Sequence, residues 1–149
     1  MNVFVKATVA GVSGAVTTTL LHEFTRRVAP DAPRVDLLGM QALARALGAV
    51  GIRPPAGDAL YNLTLAGDLV SNSGYFALVG VGSRDNAMVA GAALGVAAGL
   101  GAVYLPKPLG LSAGPTKRTG QTRALTVALY AAGGIAAGAV YRALPASHQ

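Results

Sequence analysis

Cysteine and tryptophan are absent from this chain, and charge is scarce. Without cysteine there is no disulfide, no thiolate metal site and no thiol nucleophile, and redox compartment cannot be read. Only 12% of the 149 residues are charged, against roughly 25% in a soluble globular domain. Phenylalanine occurs three times, so the apolar mass comes from Ala, Val, Leu and Gly. With a mean hydropathy of +0.49, this shortage of charge points to a bilayer as solvent. The length suggests one domain, 1–149.

Other absences exclude chemistries. His22-Glu23 begins as an HExxH motif would, but position 26 is Arg and the second histidine, His148, lies in the tail. Too few ligands remain for zinc, so no metal site is expected. In GPTKRTGQT the glycines are wrongly spaced for a phosphate loop, Gln121 stands where the lysine belongs, and no strand precedes it. Gly11-Val12-Ser13-Gly14 is one residue short of a GxSxG elbow. No cofactor is expected.

What is present is a series of apolar stretches. Val3 to Leu21 is the first expected span; it lacks a basic region ahead of it and a clear cleavage site, and reads as a retained helix. Lys6 near its start is expected to snorkel to headgroups. Four prolines, Pro30, Pro33, Pro54 and Pro55, bracket a helix over about 36–50. Met40, Leu43, Leu47 and Val50 share its apolar face, which predicts an amphipathic helix lying in the interface. Asp58 is expected to cap a second span, about 59–82. A third, about 86–105, carries Gly91, Gly95 and Gly99 at four-residue spacing, a ridge for close helix contact. The fourth, about 124–144, carries the Gly134/Gly138 pair. The expected fold is an all-α integral membrane protein: a four-transmembrane-helix bundle with one interfacial amphipathic helix between spans 1 and 2.

The net charge of +6 could suggest nucleic acid, but the basic residues flank apolar spans. Arg26, Arg27, Arg34, Arg45, Arg53, Lys107, Lys117, Arg118 and Arg123 fall in the two longer loops or their edges; Lys6, Arg84 and Arg142 fall opposite. The positive-inside rule then puts the long loops in the cytoplasm and both termini outside. Ala/Gly/Arg-rich usage suggests a GC-rich bacterium, hence an inner-membrane protein. Expected partners are the lipid bilayer, a second copy or a larger membrane complex, and no nucleic acid. Arg26, Arg45 and Arg123 are candidates for anionic headgroups.

The second span carries the most informative stripe. At 100° per residue Tyr61, Thr64, Asp68, Ser71, Asn72 and Tyr75 share one side. An acid at bilayer depth is costly and is by default a functional hypothesis. At a rise of about 1.5 Å per residue Asp68 lies roughly 14 Å from the cytoplasmic end. Ser13 and Tyr130 should share that depth and offer hydroxyls, as should Asn72, while His22 and Glu23 should lie nearer the surface.

Three functions follow. The first is a structural or interaction protein, self-associating or an accessory subunit, with Asp68 and Asn72 as interhelical hydrogen-bond glue. The second is a small transporter, channel or proton-relay element with a polar path along Tyr61, Thr64, Asp68, Asn72, Tyr75 and Tyr130. The third is an enzyme on a lipid-like substrate, with His22, Glu23 and Asp68 as catalytic candidates.

Overall fold

The structure, a computed structural model, describes residues 1–145, and every regular element among them is helical. The tail containing His148 lies outside the described residues. Helix α1 spans Val3–Val28, α2 Val35–Ala49, α3 Gly57–Phe76 and α4 Ala87–Tyr104. A single turn, α5, spans Gly114–Lys117, and α6 spans Gly120–Ala143. Three stretches are long and apolar enough to cross a membrane: α1, Arg84–Tyr104 and α6. This is the make-up of a membrane protein. The polar residues of α3, among them Asn62, Asp68 and Asn72, keep the expected second span below that mark.

Local chemistry sets the helix ends. The Asn2 side chain accepts from the Val5 N–H at 2.8 Å and caps α1. At the other end Arg26 and Arg27 stand in the last turn, favourably placed against the carbonyl end of the dipole. The helix therefore continues beyond Leu21, and His22-Glu23 is part of it rather than a boundary segment. Thr119 caps α6 through the Thr122 N–H at 3.0 Å. At α3 the expectation for Asp58 fails: the cap is Ala56, with no side-chain cap bond. Asp58 lies in the first turn, where its charge still complements the dipole.

Packing orders the long helices as α3, α1, α6 and α4, so α1 lies between α3 and α6, and α6 between α1 and α4. Glycine lets the backbones meet. A Cβ on Gly91 would fall on the Gly134 carbonyl, and one on Gly99 would lie 2.6 Å from the Val127 Cα. Thus the ridge of α4 and the Gly134/Gly138 pair of α6 face each other within one chain. Consecutive α3 and α4 are joined through a 3-10 turn, Ala77–Val81, and a second, Arg84–Asn86. Both helices pack chiefly on α1 and α6 rather than on each other.

The apolar core, with Ala10, Phe76, Val79, Ala87, Ala137 and Tyr141, occupies the half of the bundle near those turns. Lys6 is buried there with its ammonium 4.9 Å from the centre of the Tyr141 ring. It does not snorkel outward, because the ring face offers the charge an attractive site inside. The outer side of α1 is a continuous exposed stripe of Val9, Val12, Val16, Leu20, Phe24 and Val28, as expected of a surface meeting lipid tails.

Helix α2 forms as expected and lies across the other end of α3. A Cβ on Gly39 would come within 2.7 Å of the Thr64 methyl and 3.3 Å of the Asp68 carboxylate, so only glycine allows this approach. The Arg34 N–H donates to the Pro115 carbonyl at 2.8 Å, and the Ser112 N–H to the Gln41 side chain at 3.0 Å. The two longer loops are therefore tied together at one end of the bundle.

Candidate functional site

The half of the bundle away from the apolar core contains a polar cavity. Its walls are Thr18, Thr19, His22 and Glu23 of α1, Val35 and Asp36 of α2, Tyr61, Thr64, Leu65, Asp68 and Asn72 of α3, and Tyr130 of α6. The spacing explains the convergence. Thr18 and His22 are one turn apart on α1, as are Tyr61, Thr64 and Asp68 on α3, and both rows face inward. His22 and Glu23 thus line one cavity with Asp68, nearer its outer end, a meeting that the sequence reading did not foresee. The cavity measures about 40 Å³. One water needs roughly 10–15 Å³, so two or three fit.

A chain of ionic contacts closes its outer end. The Arg26 guanidinium donates to Glu23 at 2.6 Å and to Asp36 at 3.2 Å, while Arg34 donates to Asp36 at 2.7 Å. The Tyr61 hydroxyl donates to the other Glu23 oxygen at 3.1 Å. Two of these four contacts join helices: Arg26–Asp36 ties α1 to α2, and Tyr61–Glu23 ties α3 to α1. Burial, the largest influence on Asp36, pushes its carboxyl up; the Arg34 hydrogen bond and the charges of Arg34 and Arg26 outweigh it and leave the group below its ordinary range.

Deeper in, the polar groups have no such partners. His22 is 6% exposed and Thr64 5% exposed. Both imidazole nitrogens and the Thr64 hydroxyl are buried with no hydrogen-bond partner. Thr64 is unlike Thr8, Thr18 and Thr126, whose hydroxyls donate to the carbonyl four residues earlier. The His22 ring packs edge-on against Tyr130 with centroids 5.3 Å apart. An unpartnered buried polar group costs about 1–3 kcal/mol, so three such atoms around one cavity mark a place for water or a ligand's polar atoms.

Asp68, Asn72 and Tyr130 also line a second, larger space. This groove measures about 610 Å³ and lies between α3 and α4. Its α4 wall is Ala97, Ala98, Gly101, Ala102 and Leu105, and α2 with Pro106, Leu109 and Leu111 covers one end. At the other end the Tyr75 hydroxyl donates to the Leu94 carbonyl at 2.9 Å and ties the two helices. Asp68 therefore stands at the junction of a small polar cavity and a wide, largely apolar groove. No hydrogen bond to its carboxylate is made by the described residues.

The remaining candidates lie elsewhere. Ser13 donates to the Val9 carbonyl at 2.8 Å and lines neither space, so it is no partner for Asp68. Arg45 is exposed and contacts the Gly110 carbonyl at 3.3 Å, and Arg123 is exposed at the start of α6. Arg26 is held by Glu23 and Asp36. None of the three lines either space. Asp36 and Arg34 were missed as site residues; the one available signal was the close succession of Arg34 and Asp36 at the start of an amphipathic helix. Among the described residues no group of His, Asp and Glu could hold a metal ion. No family model, curated protein or solved structure matches this chain.

Proposed function

We propose that the chain is a four-crossing membrane protein that relays protons to Asp68, as part of a small transporter. The observation that carries this reading is the position of Asp68 at the junction of the two spaces. The small cavity connects it past His22, Thr64 and Tyr61 to the charged cluster of Glu23, Asp36, Arg26 and Arg34. Room for water, hydroxyls and an imidazole with both nitrogens free are the elements of a proton path. The wide groove supplies a separate approach to the same carboxyl.

Two further observations support the reading over a purely structural role. The glycine ridge of α4 is engaged by α6 of the same chain, so it offers no face to a second copy. Asp68 as interhelical glue would need a partner, and no described residue supplies one.

The pairing of α3 with α1 supports a count of four crossings. At one end Tyr61 bonds Glu23; towards the other, a Cβ on Gly11 would press on Ala77 and one on Gly80 on Ala7. A helix that accompanies α1 along its length crosses wherever α1 crosses, with Thr64 of its polar stripe buried and Asp68, Asn72 and Tyr75 turned to the groove. Nine basic residues gather at the α2 end and three at the other. The α2 end is then cytoplasmic, with both termini outside and α2 at the interface of a bacterial inner membrane.

The test is infrared difference spectroscopy of the reconstituted protein across pH, against Asp68→Asn. The Asp68 carboxyl should titrate with bulk pH and exchange rapidly in heavy water, and Thr64→Leu, which fills the small cavity, should slow that exchange. An Asp68 band indifferent to pH and solvent isotope would rule out the relay.

A further inference from the structure

We propose that the groove between α3 and α4 binds a lipophilic monocation, a quaternary onium ion, with its positive centre held by the Asp68 carboxylate and the rings of Tyr75 and Tyr130. The proposal rests on the relay reading insofar as the bound cation and the proton compete for Asp68.

The argument is first one of charge. Asp68 is the one Asp, Glu, Lys, Arg or His among the described residues lining the groove. Arg26 and Arg34, at the outer end of the small cavity, are bonded to Glu23 and Asp36 and lie outside the groove. A half-buried carboxylate without a protein cation, as Asp68 is, attracts one from a ligand and repels an anion. Second, two of the polar lining residues are aromatic, and the faces of tyrosine rings attract a poorly hydrated cation. Quaternary cations have no N–H to satisfy, which suits a wall of Ala97, Ala98 and Gly101. Third is size. At about 610 Å³ the groove falls within the roughly 300–1,000 Å³ typical of small-molecule sites.

One carboxyl cannot hold a proton and a permanent cation together. Binding of the onium ion to the protonated acid forms the carboxylate–onium pair and frees one proton, and the charge is conserved. The titratable groups that line the two spaces with Asp68 are His22 and Glu23 of α1, Asp36 of α2, Tyr61 and Tyr75 of its own helix and Tyr130 of α6; α4 contributes none. The freed proton leaves through the small cavity.

The experiment uses the full chain purified in a maltoside detergent, with tetraphenylphosphonium as probe and tetraphenylborate, its anionic counterpart of the same shape, as control. Equilibrium dialysis should show saturable binding of one phosphonium per chain and none of the borate. Asp68→Asn should weaken binding at least tenfold, and Ala98→Phe, which fills the groove from its α4 wall and keeps the carboxylate, should do the same; both should keep the wild-type helical content. Equal binding of the borate, unchanged binding by Asp68→Asn, or no saturable binding by folded wild type would overturn the proposal. Proton release in weak buffer, at a pH where the infrared band shows Asp68 protonated, separates the two readings. Binding with release supports both; binding without release keeps the groove and removes the relay; a titrating Asp68 with no binding keeps the relay and removes the groove.

Discussion

The Asp68 carboxylate receives no hydrogen bond from a described residue, so changing it to Asn removes a charge without breaking a side-chain hydrogen bond. The expected outcome is a folded Asp68→Asn protein, its stability within about 1 kcal/mol of wild type, with Asp68-dependent titration gone; denaturation in detergent and infrared spectra check the two halves. Asp36 behaves oppositely. Its carboxyl lies below the ordinary range in the folded protein, so its contribution is present above the unfolded value of about 3.9 and is lost as pH falls through the folded one. Hydrogen exchange in α2, corrected for intrinsic rate, should rise in that acid window. Arg34→Ala removes the group that holds Asp36 down, so the loss should move to higher pH. At this scale the sequence was readable where periodicity alone decides: Tyr61, Thr64, Asp68 and Asn72 do share a face that lines the site. It was not readable where two helices must be brought into register. His22 joins Asp68 because α1 runs to Val28, which nothing in HEFTRR announces.

The glycines of the helices fall into two kinds. Gly91, Gly95, Gly134 and Gly138 meet backbone atoms of the facing helix, whereas Gly67 and Gly74 on α3 face open space. Gly95→Leu should therefore destabilise the bundle by roughly 1–3 kcal/mol or more, through overpacking that backbone cannot relieve. Gly67→Ala should be neutral or stabilising by up to about 1 kcal/mol, from helix propensity alone. Chemical denaturation of both variants in one detergent gives the comparison. The four-residue glycine repeat announced a close contact, and the contact exists. Its partner could not be named beforehand, because a ridge of small residues suits a second copy as well as a neighbouring helix. Similarly, α2 was legible as an amphipathic helix from Met40, Leu43 and Leu47, but its docking on α3 depends on Gly39, which an amphipathic pattern does not distinguish from any other small residue.

For the whole molecule, the two ends differ in charge and in content. The basic end carries α2, the ionic cluster and the mouth of the site; the other end carries the apolar core and Lys6 against Tyr141. Single cysteines test the orientation, since the natural chain has none. A membrane-impermeant maleimide added to intact cells should label position 84 and spare position 45; the reverse pattern would invert the protein. Composition alone carried the chain into the membrane, and the distribution of arginine suggested which end is which. The polar stripe of α3 leaves it below the hydropathy that α1, Arg84–Tyr104 and α6 reach, so its proposed crossing rests on its pairing with α1 rather than on composition.

The separation of α3 from α4 along the groove, tied at one end where Tyr75 reaches Leu94 and covered at the other by α2, also decides which concentration the site senses. An opening between two helices at hydrocarbon depth equilibrates with solute dissolved in the leaflet rather than in water. Occupancy then follows the partition coefficient multiplied by an intrinsic affinity. Two cations with identical heads and unequal tails would rank by tail length when dosed in water, yet become equal when their amounts are counted per lipid.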